Sequence, residues 1–158
     1  LSTAAAVNVV RAVDRPAVIV STGTATTVDY VDARGAFAGG AILPGFELSA
    51  RALHEYTALL PYIPMEELID NGHEPLGLDT RHALRSGLYW GQLGAVRELV
   101  ARLSAVAPRD PQLFLTGGGA SLLAPELPNA RWEPHLALQG LAVVASHASG
   151  SAAGTTPP

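Results

Sequence analysis

The sequence predicts an α/β fold: a mixed sheet entered by three antiparallel strands, then helices and strands in alternation. Three observations carry this. Short β-branched runs at 17–20, 25–31 and 36–43 are separated only by turn residues. A long helical pattern from about Thr80 to Ala105 follows, headed by Asp79, a preferred N-cap type. A further apolar run, Gln112-Leu113-Phe114-Leu115, then leads directly into Thr116-Gly117-Gly118-Gly119-Ala120.

Taken in order, residues 1–13 read as helix and Pro16 closes them. Ala17-Val18-Ile19-Val20 is a buried strand, and 25–31 the next. Asp32-Ala33-Arg34-Gly35 is a four-residue turn with glycine last, the type I hairpin signal. The third strand, 36–43, ends at Pro44-Gly45. Glu47 to Leu60 reads as a helix with Leu48, Leu53, Tyr56 and Leu60 near one face, stopped by Pro61 and Pro64. Residues 61–79 are expected to be irregular, with one short turn at Met65–Ile69. In the long helix Leu84, Leu88, Gly91, Val96, Val100 and Leu103 make the apolar stripe. A short helix at Ser121–Leu123, a short strand at 129–132 and a last helix from Pro134 to Ser146 complete the domain. The final residues, Ser149 to Pro158, bring too little apolar surface to fold, so 148–158 are expected to be a disordered tail. This element order matches the ribonuclease-H-like half of the actin, sugar-kinase and Hsp70 superfamily, an analogy that does not fix function.

The 158 residues suit one domain, 48% hydrophobic but only 6% aromatic, so Ala, Val and Leu build the core. A formal charge of −4 argues against nucleic acid as a partner. Lysine is absent and all ten basic residues are arginine, which excludes a Walker-type loop with its Gly-Lys-Ser/Thr ending. The absence of cysteine excludes disulfides, thiolate zinc sites and a cysteine nucleophile. The five histidines show no metal spacing, and no Gly-x-Ser-x-Gly elbow or Gly-x-Gly-x-x-Gly turn occurs. No apolar stretch reaches membrane-span length and no signal peptide is evident, so the expectation is a cytoplasmic protein with no membrane partner. The chain opens on Leu1 within what reads as a helix, the mark of a chain cut from a longer one or of a gene fragment.

Several stretches could carry chemistry. Ser21-Thr22-Gly23-Thr24-Ala25-Thr26-Thr27 links two strands through small hydroxyl residues and one glycine. Such a turn can present backbone N–H groups and hydroxyls to a phosphate; it can equally be a hairpin rich in Thr because Thr suits strands. Gly117-Gly118-Gly119 opens a helix after a strand, where a base or phosphate can approach the backbone, or where the chain simply turns tightly. Together the two could form the walls of a nucleotide cleft. Gly39-Gly40-Ala41-Ile42-Leu43-Pro44-Gly45 points to a close backbone neighbour or to a bulged strand. Thr80 could hold a polar substrate or belong to ordinary helix capping. Asp29 and Asp32 read as a solvated strand end, and Arg81 with Arg85 as a solvated helix face.

Five segments in order, Ser21–Asp29, Gly39–Gly45, Leu48-Ser49-x-x-Ala52-Leu53 with Thr57–Pro61, Ser86-Gly87-Leu88 and Leu115–Ala120, resemble type III pantothenate kinase. Some members of that family carry the older label of Bvg accessory factor. The resemblance runs over residues 1 to about 147 and implies a homodimeric, two-domain kinase. Such a kinase uses ATP, Mg2+ and a monovalent cation (K+ or NH4+) to phosphorylate pantothenate, the first committed step of coenzyme A synthesis. It implies that 1–147 is the C-terminal ribonuclease-H-like half. The first phosphate motif and the catalytic base would then lie before Leu1, leaving no catalytic residue within this chain. It further implies ATP-phosphate binding by Gly23, Thr24, Ala25 and Thr26, adenosine binding by Gly117, Gly118 and Gly119, and substrate contact at Thr80. Ser21 stands where the family usually has the Asp that holds a cation, and a neutral hydroxyl is a poor substitute for a carboxylate there. A second reading is therefore a non-catalytic nucleotide-binding or dimerisation module, or a regulator of the Bvg accessory factor type.

Overall fold

The fold is taken from a computed structural model, which describes residues 6–8, 10–12, 14–70, 74–136 and 138–139. A five-stranded sheet runs in the order β3-β2-β1-β4-β5, where β1 is Ala17–Thr22, β2 Ala25–Val31, β3 Phe37–Pro44, β4 Gln112–Thr116 and β5 Arg131–Trp132. β1, β2 and β3 are antiparallel, whereas β4 joins β1, and β5 joins β4, in parallel. β1 is the centre of the sheet, and Ala17, Val18, Ile19 and Val20 are fully buried, as expected of a strand covered on both faces.

Alternation along β1 divides two cores. Val18 and Val20, with Val28 and Leu115, pack against Leu88, Leu93 and Val96 of the long helix. Ala17 and Ile19, with Val31 and Phe114, pack against Ala6, Val7 and Leu136. Val31, opposite Ala17, falls on the second face by the same alternation, and the β2–β3 pairing shifts register between Tyr30 and Val31.

The helices are α1 (Phe46–Glu55), α2 (Met65–Asp70), α3 (Thr80–Ala105) and α4 (Ala120–Leu123), which runs into a 3-10 turn at Ala124–Glu126. α3 is headed by Asp79, whose side chain accepts from the His82 N–H at 2.8 Å. The loop before it is tied down by Ser86, whose hydroxyl donates to the Pro75 carbonyl at 2.7 Å. A Cβ at Gly77 would come within 2.2 Å of the Ala83 nitrogen, so the loop lies directly on the first turns of the helix.

Several expectations are corrected. The helix expected over 47–60 ends at Glu55, because the Thr57 hydroxyl takes the Leu53 carbonyl and the His54 ring meets the Leu60 carbonyl. Its buried residues are Phe46 and Ala50, while Leu48 and Tyr56 are exposed. Met65–Asp70 is a helix, not a passing turn. In α3, Gly91 is exposed, and Tyr89, Gln92 and Leu93 complete the buried face. Asp29 is not solvated: it is half-buried opposite Gly40, where a Cβ would lie 2.6 Å from its Oδ1. Arg81 is exposed on the helix face as expected, and there it also pairs with Glu67 of α2. The strand expected at 129–132 is two residues long. Most of the helices expected at 1–13 and 134–146, and all of the tail at 148–158, lie outside the described residues.

Candidate functional site

The Thr-rich turn lies at the edge where β1 and β2 meet, and the surrounding chain fixes it from several sides. Within the turn the Gly23 N–H donates to the Ala25 carbonyl at 3.0 Å. From β4 the Thr116 carbonyl accepts from the Thr22 hydroxyl at 3.1 Å. From the glycine run, the Gly119 N–H donates to the Thr22 carbonyl at 3.0 Å. From the end of β3, the Gly45 N–H donates to the Thr24 carbonyl, also at 3.0 Å. From α3, Gln92 Nε2 donates to the Thr26 hydroxyl oxygen at 2.6 Å. Gln92 and Thr26 are both buried, so this bond sits where an unpaired partner is costly.

Two glycines permit this closeness. Gly117 has φ of +96°, a conformation that L side chains rarely adopt, and a Cβ there would lie 2.4 Å from the Thr22 oxygen. At Gly45 the backbone is ordinary, φ −74°, but a Cβ would lie 2.2 Å from the Gly23 oxygen and 2.7 Å from that of Thr24. The Gly-Gly-x-Ile-x-Pro-Gly segment thus ends directly beneath the turn, and α1 starts from that contact.

A pocket of about 260 Å3 opens between these parts, lined by Thr22, Gly23, Thr24, Phe46, Glu47, Met65, Ile69, Gly118 and Gly119. That volume lies just below the roughly 300–1,000 Å3 of ordinary small-molecule sites. Among the predicted site residues, Gly23, Thr24, Gly118 and Gly119 come together on its wall, and Gly118 faces open space. Ala25 is half-buried in the first register pair of β2 with β3, and Thr26 turns its hydroxyl into the core. Gly117 packs behind the wall on Thr22. Thr80 is exposed at the head of α3 and is not part of the wall.

Ser21 is half-buried on the opposite face of the sheet from Thr22, paired with Thr27 and Thr116. Asp29 follows Thr27 on that face and accepts from the Thr27 hydroxyl at 3.1 Å. Burial pushes the Asp29 carboxyl above its ordinary value, and the Thr27 bond works against that rise. Among the described residues no three His, Cys, Asp or Glu side chains gather as a metal site. Hydroxyls with a single nearby carboxylate do not fit a hard divalent cation held by protein ligands alone.

The residues not foreseen are Phe46, Glu47, Met65 and Ile69 on the wall and Gln92 behind it. Met65 and Ile69 are four apart, the spacing that places two side chains on one helical face. Glu47 and Phe46 follow the Pro-Gly step at once.

A family model described as type III pantothenate kinase matches residues 2–102. The type III pantothenate kinase of Caulobacter vibrioides is 45% identical over 107 residues, which is 68% of this chain and 40% of the relative. That of Ruegeria pomeroyi is 39% identical over 145 residues, 89% of this chain and 54% of the relative. The chain therefore spans about half the length of the curated relatives it matches. Among solved structures, a Baf family protein from Campylobacter jejuni superposes with a TM-score of 0.61 at 20% identity, over 85% of this chain and 60% of that one. An activator of 2-hydroxyisocaproyl-CoA dehydratase from Clostridium difficile, solved with bound ADPNP, gives 0.60 at 15% identity over 99% and 69%. These two show the fold alone. Among the described residues no helix is long and apolar enough to cross a membrane.

Proposed function

This chain belongs to the type III pantothenate kinase family, and from that membership we propose that it supplies the C-terminal half of an ATP-dependent pantothenate kinase. The observation that carries the proposal is the meeting of Thr22, Gly23 and Thr24 with Gly118 and Gly119 on one pocket. The turn takes the phosphates through the exposed backbone N–H and hydroxyl of Thr24. Because the Gly23 N–H is already bonded within the turn, it serves shape, not donation. Gly118 and Gly119 let the nucleoside lie against the chain, with Gly117 and Thr26 holding the wall from behind. Thr80 takes the acceptor alcohol in the complete protein. There the pantothenate hydroxyl attacks the γ-phosphorus, the bond from that phosphorus to the β–γ bridging oxygen breaks, and ADP leaves. The proton passes to a base that the family places before Leu1.

Mg2+ would arrive on the triphosphate, and a monovalent cation would find a neutral oxygen at Ser21 in place of a carboxylate. By family the working form is a homodimer in the cytoplasm, without nucleic acid or membrane partners.

Joining this chain to the N-terminal half of the Caulobacter vibrioides relative tests the proposal. Pantothenate-dependent ADP release by the fusion, absent from the 158-residue chain alone, is expected. A folded fusion that binds ADP but transfers no phosphoryl group would refute it. Ser21 favours a second reading, a nucleotide-binding module without catalysis. An inactive fusion in which Ser21→Asp also restores nothing would establish that reading instead.

A further inference from the structure

Glu47 is the one charged side chain on the pocket wall among the described residues. It sits in the first turn of α1. Gly45, two residues earlier, is bonded to Thr24, and the ring of the intervening Phe46 lies 3.2 Å from where a Gly119 Cβ would be. Arg51 donates through Nε at 3.0 Å and another guanidinium nitrogen at 2.8 Å, both to Glu47 Oε1. Oε2 has no partner among the described residues. An i,i+4 pair near a helix start is an ordinary surface arrangement, but it does not account for a carboxylate in a pocket whose other end suits phosphate.

The chemistry of that carboxylate narrows what lies against it. Ionised, it accepts hydrogen bonds and donates none, and it repels phosphate. The donors on a nucleotide are its sugar hydroxyls and base amino groups. Of these, the sugar lies between phosphates and base, and Glu47 shares one wall with Thr24 of the turn and Gly119 of the glycine run. Met65 and Ile69 leave the rest of the wall apolar, suited to the flat face of a base.

We propose that Glu47 reads the ribose: Oε2 accepts from the sugar hydroxyls, and the site prefers ribonucleotides to 2′-deoxyribonucleotides. This rests on the reading of the pocket as a nucleotide site. Arg51 pairs with the half-exposed carboxylate by its other oxygen, which leaves Oε2 open to a donor.

Calorimetric titration of the 158-residue chain with ADP and with 2′-deoxy-ADP tests this, in the wild type, Glu47→Gln and Glu47→Ala. The wild type is expected to bind ADP about five- to tenfold more tightly than the deoxy form, the worth of one ordinary hydrogen bond, since the Glu47 carboxylate is half-exposed. Glu47→Ala brings the ratio close to one, and Glu47→Gln, which keeps a neutral acceptor, falls between. A wild-type ratio near one, or a preference that survives Glu47→Ala, overturns the role of Glu47 while leaving the pocket a nucleotide site. No binding of ADP at millimolar concentration overturns the pocket reading and this proposal together.

Discussion

Replacing Gly45 with alanine should damage the Thr-rich turn from beneath, although Gly45 itself does not line the pocket. The new Cβ would stand 2.2 Å from the Gly23 oxygen and 2.7 Å from the Thr24 oxygen. Carbon–oxygen contacts settle at about 3.3 Å or more, so roughly 1 Å of movement is needed. Both obstructing atoms are backbone, and neither can rotate away as a side-chain tip would. If the start of α1 retreats, the 3.0 Å bond from the Gly45 N–H to the Thr24 carbonyl is lost, a net loss of about 1 kcal/mol. The crowding itself adds about 1–3 kcal/mol. Since φ of −74° already suits alanine, the smaller unfolded-state entropy of alanine returns about 0.4–1 kcal/mol. The expected outcome is a loss of about 1–3 kcal/mol in urea unfolding, a large share of the roughly 5–15 kcal/mol typical of a domain. ADP affinity should weaken in parallel, because the displaced atoms carry the pocket wall. A Gly45→Ala chain as stable as the wild type, with unchanged ADP affinity, would show that the segment does not press on the turn.

Gln92→Leu removes the donor to Thr26 and strands a buried hydroxyl, a loss of about 1–3 kcal/mol. Adding Thr26→Val removes that orphan, so the double variant should lose less than the sum of the two single ones; strict additivity in unfolding midpoints would deny the coupling. The Asp29 carboxyl is raised by burial. A group so raised supports the fold when protonated, and that support is lost as pH climbs through its folded value. Asp29→Asn should therefore stabilise the chain near neutral pH and make little difference in acid; a neutral-pH loss in urea unfolding would contradict this. The backbone N–H of His82, and then its ring, hold Asp79 below its ordinary value. Its contribution is present above the unfolded value and lost as pH falls through the folded one. Asp79→Ala should lower the Tm and Asp79→Asn, still a capping type, should keep most of it. Equal melting of all three at neutral pH would rule out the cap.

The strand order of the first half was legible because short β-branched runs separated by Pro, Gly and Asp leave few alternatives to a meander. α3 was legible because Asp79 marks its start and a recurring apolar stripe runs along its length. The helix after Gly45 was over-read, since Tyr56 and Leu60 keep helical spacing but Thr57 and His54 close the helix first. The helix at Met65–Asp70 was reduced to a turn, because six residues between prolines and glycines carry almost no period.

The sequence by itself determined the fold class, the two glycine-bearing turns and the family, since each is written in neighbouring residues. Tertiary structure decided which of those residues share a pocket. It placed Gly23, Thr24, Gly118 and Gly119 together, turned Thr26 inward to Gln92, and put Ser21 on the other face of the sheet. It alone brought Glu47, Met65 and Ile69 to the same wall. The physical reason is distance along the chain: Thr22 and Gly119 meet only because β1 and β4 pair in parallel across a long crossover. A contact made by pairing strands so far apart leaves no local pattern from which to read it.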